Sequence, residues 1–440
     1  MSPPRANGTN GNNHVEAADL NKNPPVPVDD DAAERLQELN LEILSPSTRA
    51  IHADDALNVL ADVAPPVHVS TTFRYAKDPA NLTPSHLRSD PLGSTEHIYS
   101  RYSTHSTSRL ETILETLLHA PCLTYSSGLS AFYALLVFLR PKRVAIGDGY
   151  HGCHGVLDLY MRTSKCEKLP LDCKPEELDE GNLIALETPV NPTGKAFNIQ
   201  HYADIARSRR AYLMVDSTFA PPPLQDPFRH GADFVMHSGT KYIGGHSDML
   251  CGVLAVKNKA SLAPMKKDRH FLGSVMGGLE GWLGVRSVRT LELRVMRQAD
   301  TAERIVQALD YALSGHSVGT GLSKSDVEAI QAVVREVHHA SLQEADKKTW
   351  LRKQMPKGYG PVFSIVMKED VFAKHLPSKL NLFHHATSLG GVESLIEWRT
   401  MSDATVSPDM LRVSIGIEDY QDLLDDLLQA FREVAKLRQS

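Results

Sequence analysis

Three side chains with useful chemistry crowd into the stretch HSGTKYIGGHSD, His237 to Asp248: Ser238, Thr240 and Lys241. Two hydroxyls beside a lysine suit an anion such as phosphate, and the lysine amine suits covalent capture of an aldehyde. A lone lysine more often sits on a solvated loop. Asp216 closes the apolar run LMVD. Burying a carboxylate without a partner is costly, so Asp216 needs either a cofactor contact or a structural salt bridge. Ser126-Ser127-Gly128 joins an expected strand to an expected helix. Glycine there lets the first helical N–H groups come close to an anion, although an ordinary capped helix explains the same residues.

Taken together these features name a ligand. Pyridoxal 5'-phosphate (PLP) is a phosphorylated aldehyde that also takes a carboxylate on its ring nitrogen. Its requirements are a Schiff-base lysine, an acidic partner for the pyridinium and a phosphate cradle. All three stand here in chain order, a coincidence that the solvated-loop reading leaves unexplained.

Elements able to position these groups are visible along the chain. Cys122–Gly128, Arg143–Asp148, Leu183–Pro189, Ala211–Thr218, Ala232–Gly239 and Gly252–Lys257 are short, nearly continuous apolar runs. Such runs mark strands buried on both faces, and most are separated by helix-length spacers. Leu129–Leu139 reads as a buried helix. The expected architecture is α/β, with a mostly parallel central sheet covered by helices and ligands held beyond the carboxyl ends of its strands. A long helical stretch, Gly278–Leu313, leads to a smaller α+β region with strands at Phe363–Met367 and Leu411–Ile417. A final amphipathic helix begins after Asp419, a candidate cap. Residues 1 to about 31 are rich in Asn, Pro, Gly and Asp and are expected to be disordered. A short helix is expected around Ala32–Leu44.

The 440 residues suffice for one large and one smaller domain. With 47 basic and 53 acidic residues the net charge is −6, so no general nucleic-acid partner is expected. No apolar run reaches the length of a membrane span. The five cysteines show no framework spacing and fit a reducing compartment. With no apolar leader at the N-terminus, a cytoplasmic location is expected. His151, Cys153 and His154 match no zinc spacing, and no metal is expected.

Beyond these individual signals, the chain resembles the trans-sulfuration, or Cys/Met-metabolism, PLP-dependent enzymes, a family that includes cystathionine γ-synthase and cystathionine γ- and β-lyases. The resemblance runs from about Pro65 (PPVHVSTTF) to Asp419. It rests on seven ordered blocks: YSR at Tyr99, SSGLSA at Ser126, ETPVNP at Glu187, VDSTFAPP at Val215, HSGTKYIGGHSD, SLGGVESL at Ser388 and LRVSIGIED at Leu411. Among members it looks closest to fungal proteins sharing the DSTFAPPP variant.

The resemblance implies the fold type I of PLP-dependent transferases, like aspartate aminotransferase. It divides the chain into a tail (1–45), an arm that touches the neighbouring subunit (46–110), a large PLP-binding domain (111–300) and a small C-terminal domain (301–440). It implies that Lys241 forms the Schiff base and shuttles protons, and that Asp216 faces the pyridinium nitrogen. Gly128 and Leu129 offer N–H groups to the phosphate, and Ser238 and Thr240 offer hydroxyls. Tyr99 and Arg101 match the pair that reaches the phosphate of the neighbouring subunit, which implies a homodimer or a dimer of dimers. Tyr150 matches the aromatic residue that stacks on the ring and, as phenolate, deprotonates the incoming amine. Asn191 lies near the ring oxygen, and Arg412, assisted by Ser388, is the fork for the substrate carboxylate.

Some positions depart from the family pattern. Gly155 and Thr387 stand where cystathionine enzymes usually carry an arginine and a glutamate for the far end of the substrate. IEWRTM, Ile396–Met401, replaces a His-Pro stretch, and Ser217 replaces the usual Asn. The implied reaction is elimination or replacement at Cβ or Cγ of a sulfur-containing amino acid. Two alternatives stand beside it: γ-replacement on O-acetyl- or O-succinyl-homoserine, and a catalytically silent regulatory protein on the same fold.

Overall fold

The computed structural model describes residues 44–58, 62–84, 87, 97–315 and 321–438. The expected tail and the expected helix at 32–44 lie almost wholly outside the described residues. The first described helix is α1, Pro46–His52, capped by Ser45.

Helices α2 (His105–Leu118), α3 (Gly128–Leu139), α4 (His151–Met161), α5 (Ile199–Arg209) and α6 (Leu262–Leu272) accompany a seven-stranded sheet. Its strands are β1 (Cys122–Tyr125), β2 (Arg143–Ile146), β3 (Glu167–Pro170), β4 (Leu183–Glu187), β5 (Tyr212–Asp216), β6 (Phe234–Ser238) and β7 (Gly252–Val256). The order is β1-β7-β6-β5-β4-β2-β3. Only β7 runs against its neighbours β1 and β6; β6, β5, β4, β2 and β3 are parallel. The mostly parallel sheet is therefore present, and the carboxyl ends of β1, β4, β5 and β6 share one edge. The four central strands from β7 to β4 are almost entirely buried, as their apolar runs require.

A second sheet has the order β10-β11-β12-β9-β8. It contains β8 (Val334–His338), β9 (Val362–Met367), β10 (His384–His385), β11 (Leu395–Trp398) and β12 (Met410–Ser414). Only the β10/β11 pair in it is parallel. The expected single helix over 278–313 is two: α7 (Gly278–Val288) and α8 (Leu291–Leu313). Helix α8 serves both halves, since Leu291, Val295 and Ala299 pack into the core of the large sheet. Ala302, Ile305 and Leu309 pack into the core of the small one. Helix α9 (Lys324–Val333) and helix α10 (Tyr420–Ala435) complete the small core. Asp419 caps α10 through Gln421 N (2.8 Å), and Leu423, Leu424, Leu427, Leu428, Phe431 and Val434 are all buried.

The segment 338–360 is packed against the large core through Leu351, Met355 and Tyr359. His339 anchors it. Its Nε2 lies 2.9 Å from Gly360 O, which can only accept, so Nε2 carries the proton and Nδ1 accepts from Ser341. Burial pushes its pKa down to about 4. The unfolded chain takes that proton near pH 6.5, so between 6.5 and 4 it binds more protons than the folded one. The stability gained from a neutral His339 is thus complete above pH 6.5 and lost as pH falls toward 4. A His339→Asn variant should be less stable than the parent at pH 7.5 by roughly 1–3 kcal/mol. The gap should narrow by pH 4.5, as read from urea unfolding midpoints; a gap that is constant across pH would refute this.

Candidate active site

The shared strand edge faces the small sheet across a cavity of about 330 Å³. At one end lies the start of α3. Gly128 and Leu129 are its first two residues, so their N–H groups have no intrahelical acceptor. Ser127 caps the helix through Ser130 N (3.1 Å). Gly128 sits against β6: a Cβ added there would meet Ser238 Cβ at 3.2 Å. Ser238 ends β6, and its backbone N–H donates to Thr218 Oγ1 (2.9 Å). The Thr240 hydroxyl faces the same space, tied to the Cys251 backbone through Cys251 N (3.0 Å).

Asp216 ends β5 and is 8% exposed. Its Oδ1 accepts from Thr218 N (3.0 Å) and Thr218 Oγ1 (2.5 Å). Directly beside it in register stands Glu187, the last residue of β4. Glu187 accepts from Tyr150 N (2.8 Å) and Asn191 N (2.7 Å). Burial pushes both carboxyl groups up, and the Asp216 charge pushes Glu187 further. Asp216 is therefore the member of the pair that ionises first. Sequence reasoning passed over Glu187, although LIALE ends in a carboxylate just as LMVD does.

Lys241 lies in the turn after β6. Arg294, buried on α8, clamps this turn through Tyr242 O (2.8 Å). The lysine Nζ donates to Ser388 Oγ (2.7 Å). Burial, with the Arg412 guanidinium adding repulsion, lowers its pKa to about 8 against the opposing pull of Glu397. Ser388 holds φ at 81°, a strained conformation for a non-glycine residue. Gly390 follows at φ 81°, where a Cβ would lie 2.9 Å from Tyr242 N and 3.0 Å from the Lys241 carbonyl carbon. The SLGG loop is thus pressed onto the lysine turn.

At the far end stands Arg412 on β12. Its Nη1 donates to Asn191 Oδ1 (3.2 Å), and its Nη2 donates to Ser388 O (2.8 Å) and Glu397 Oε2 (2.6 Å). Ser388 therefore gives its hydroxyl to the lysine and its carbonyl to the arginine. Arg399 Nη1 also donates to Glu397 Oε2 (2.8 Å), and Ser402 Oγ to Glu397 Oε1 (2.6 Å). Arg399 Nη2 lies 3.4 Å from Asp403 Oδ2, and His151 Nδ1 lies 3.6 Å from that same oxygen. Burial opposes ionisation of Glu397, but Arg412, Ser402 and Arg399 more than offset it and hold its carboxyl below the ordinary range. Apart from Arg412, no member of this ion-pair group was expected from the sequence as a site residue.

Tyr150 precedes α4 at the cavity mouth, 38% exposed. Burial raises its pKa and disfavours the phenolate, with Arg399 and Arg412 pulling the other way. Cys153 is packed in the core behind it. Within this chain Tyr99 and Arg101 do not reach the cavity: both are exposed, with Arg101 Cζ 5.4 Å from the Tyr99 ring centroid.

The donor set fits one cofactor chemistry: helix-start N–H groups and two hydroxyls for a phosphate, a buried carboxylate and a lysine with a lowered pKa. The comparison with known families decides the matter, because the model of the Cys/Met metabolism PLP-dependent enzymes matches residues 47–432. The chain belongs to that family. It is a PLP-dependent enzyme with the fold type expected above.

Cystathionine gamma-lyase of Saccharomyces cerevisiae is 32% identical over 412 residues, covering 88% of this chain and 97% of that protein. The chloroplastic cystathionine beta-lyase of Arabidopsis thaliana is 28% identical, covering 90% and 83%. A solved structure of metB from Corynebacterium glutamicum superposes with a TM-score of 0.77 at 28% identity, covering 90% of this chain and all of that one. These relatives come from a yeast, a plant and a bacterium at similar identities, which singles out no fungal subgroup. Among the described residues no helix is long and apolar enough to cross a membrane.

Proposed function

We propose that the chain catalyses elimination or replacement at Cβ or Cγ of a sulfur-containing amino acid, a reading supported by its cystathionine lyase relatives. The observation that carries this reading is the single cavity holding Lys241, Asp216, the α3 N-terminus and Arg412. When bound, PLP supplies an electron sink for charge developing at the substrate α-carbon. Gly128, Leu129, Ser238 and Thr240 would hold the phosphate, and the Asp216 carboxylate would pair with the protonated ring nitrogen. Lys241 would hold the cofactor and, as a free amine, would carry a proton between the substrate α-carbon and the departing group. Tyr150, at the cavity mouth, would shield the bound cofactor from water. Its raised pKa supports a role as a neutral donor in the free enzyme rather than as a standing base. Arg412 orients the substrate carboxylate, and Asn191 braces Arg412.

Tyr99 and Arg101 are exposed on the arm, which supports a homo-oligomer in which they complete a neighbouring copy's phosphate site. The arm at 46–110, the PLP-binding part at 111–300 and the small domain at 301–440 keep their expected roles in this reading, and the location is cytoplasmic.

A second reading is favoured by two observations. At Gly155 an added Cβ would meet nothing within 4 Å, and Thr387 lines the cavity in place of a charged side chain. Both support a substrate with a smaller far end, such as O-acetylhomoserine undergoing γ-replacement.

The two separate on products. Offered cystathionine, the purified enzyme should release pyruvate if it eliminates at Cβ and 2-oxobutyrate if it eliminates at Cγ. If neither appears while O-acetylhomoserine and a thiol are consumed together, the replacement reading stands. A protein that binds PLP and turns over none of these overturns both.

A further inference from the structure

Arg412, as it stands, is not an open fork. Nη2 has two N–H groups, and both are engaged, one by Ser388 O and one by Glu397 Oε2. An incoming carboxylate must displace one of them to be gripped bidentately. Ser388 O belongs to a strained backbone pressed onto the lysine turn, so the movable partner is Glu397.

Displacing Glu397 would ordinarily be prohibitive. Its side chain is 3% exposed, and a buried carboxylate stripped of its cation is strongly destabilising. This chain has placed a second cation on the same oxygen: Arg399 Nη1 at 2.8 Å, itself only 3% exposed. Ser402 Oγ holds the other oxygen at 2.6 Å, and Asp403 steadies Arg399 from behind. The buried Nε of Arg399 has no hydrogen-bond partner, leaving it one more N–H to offer.

We propose that Arg399 is a positioning residue for substrate recognition: it takes over Glu397 when the substrate carboxylate arrives, so that Arg412 is released from one carboxylate to the other. This rests on the reading of Arg412 as the substrate-carboxylate fork. The exchange moves no covalent bond and no proton. Glu397 and the substrate change places on one guanidinium, and Arg399 keeps the displaced charge paired. Arg399 lies in IEWRTM, Ile396–Met401, the stretch that replaces the family's His-Pro stretch, so the device belongs to this chain.

The test uses PLP-loaded full-length protein and two probes that differ by one group, L-2-aminobutyrate and propylamine, titrated by the change in the visible absorbance of the cofactor. Arg399→Gln should weaken L-2-aminobutyrate binding roughly tenfold or more, because Glu397 is then left with Arg412 as its sole cation and competes with the probe. Propylamine, which carries no carboxylate, should bind as in the parent. Arg399→Lys should recover part of the loss. The decisive variant is Glu397→Gln/Arg399→Gln: with the competing carboxylate gone, affinity for L-2-aminobutyrate should return toward the parent value. A double variant that binds no better than Arg399→Gln, or equal losses for both probes, overturns the exchange and leaves Arg399 a structural residue. A parent protein that responds to neither probe would instead overturn the functional reading beneath it.

Discussion

Lys241→Ala should lower turnover roughly 10³-fold or more while leaving the fold in place. The reason is the absence of any substitute at that point of the cavity. Arg412, its pKa lowered by burial only to about 10, is still a cation at neutral pH and cannot serve as a base. Asp216 is committed to Thr218 on the opposite side of the site. Losing the side chain removes one hydrogen bond, to Ser388 Oγ, a modest change in stability. The variant should still bind PLP through the remaining phosphate contacts, but dialysis should strip it of cofactor where the parent keeps it. A pH signature accompanies this. With the Lys241 pKa at about 8, the reactive free amine is the minor form below that pH. Capture of added PLP by cofactor-free protein should therefore accelerate about tenfold per pH unit up to about 8 and level off above it. Lys241→Arg keeps the positive charge and should show no such covalent capture at any pH. Full turnover in Lys241→Ala would refute the assignment.

The parts that sequence reasoning reached share a physical cause. Lys241, Asp216 and Gly128 each sit where an apolar strand ends, and strand ends are readable because burial on both faces leaves a run of apolar residues and a sharp stop. The parts it missed obey no local rule. Strand β11 carries Glu397, and the next residues carry Arg399. Three charged residues within seven, Glu397, Arg399 and Asp403, read as a solvated turn, yet all are nearly inaccessible. Only the tertiary arrangement, with Arg412 arriving from the neighbouring strand β12, makes their burial tolerable. Strand β3, EKLP, failed for the opposite reason. It is a largely exposed edge strand, and charged edge strands look like loops. The break between α7 and α8 at Arg289–Thr290 involves neither glycine nor proline. Arg289 Nη2 reaches Asp54 Oδ1 at 3.4 Å, so the chain bends there where long-range contacts, invisible to periodicity, intervene. The role proposed for Tyr99 and Arg101 rests on the family resemblance alone, since within one chain neither residue lines the cavity.

Asp216→Asn is the second large effect, and it tests the electrostatics of the sheet edge rather than its covalent chemistry. Asp216 and Glu187 are neighbours in register at the ends of β5 and β4, and two adjacent buried carboxylates do not both ionise readily. Thr218 donates twice to Asp216, whereas Glu187 is raised by burial and by the Asp216 charge. The structure thus keeps one negative charge at this edge and puts it on Asp216. Asparagine conserves shape and can still accept from Thr218 through its amide oxygen, so the fold should survive. What it removes, in the proposed site, is the charge placed to keep the ring nitrogen of bound PLP protonated. Turnover should fall roughly 10²- to 10⁴-fold, and PLP should bind more weakly, with Asp216→Glu recovering part of both. Glu187→Gln should cost less turnover, because it leaves the Asp216 charge in place, although its amide nitrogen can no longer accept one of the two N–H groups, Tyr150 N and Asn191 N, that Glu187 holds. Steady-state rates and PLP dissociation constants for the three variants check this. Equal losses in Asp216→Asn and Glu187→Gln would mean that the charge sits on the pair rather than on Asp216. An unaffected Asp216→Asn would remove this carboxylate from the cofactor site altogether.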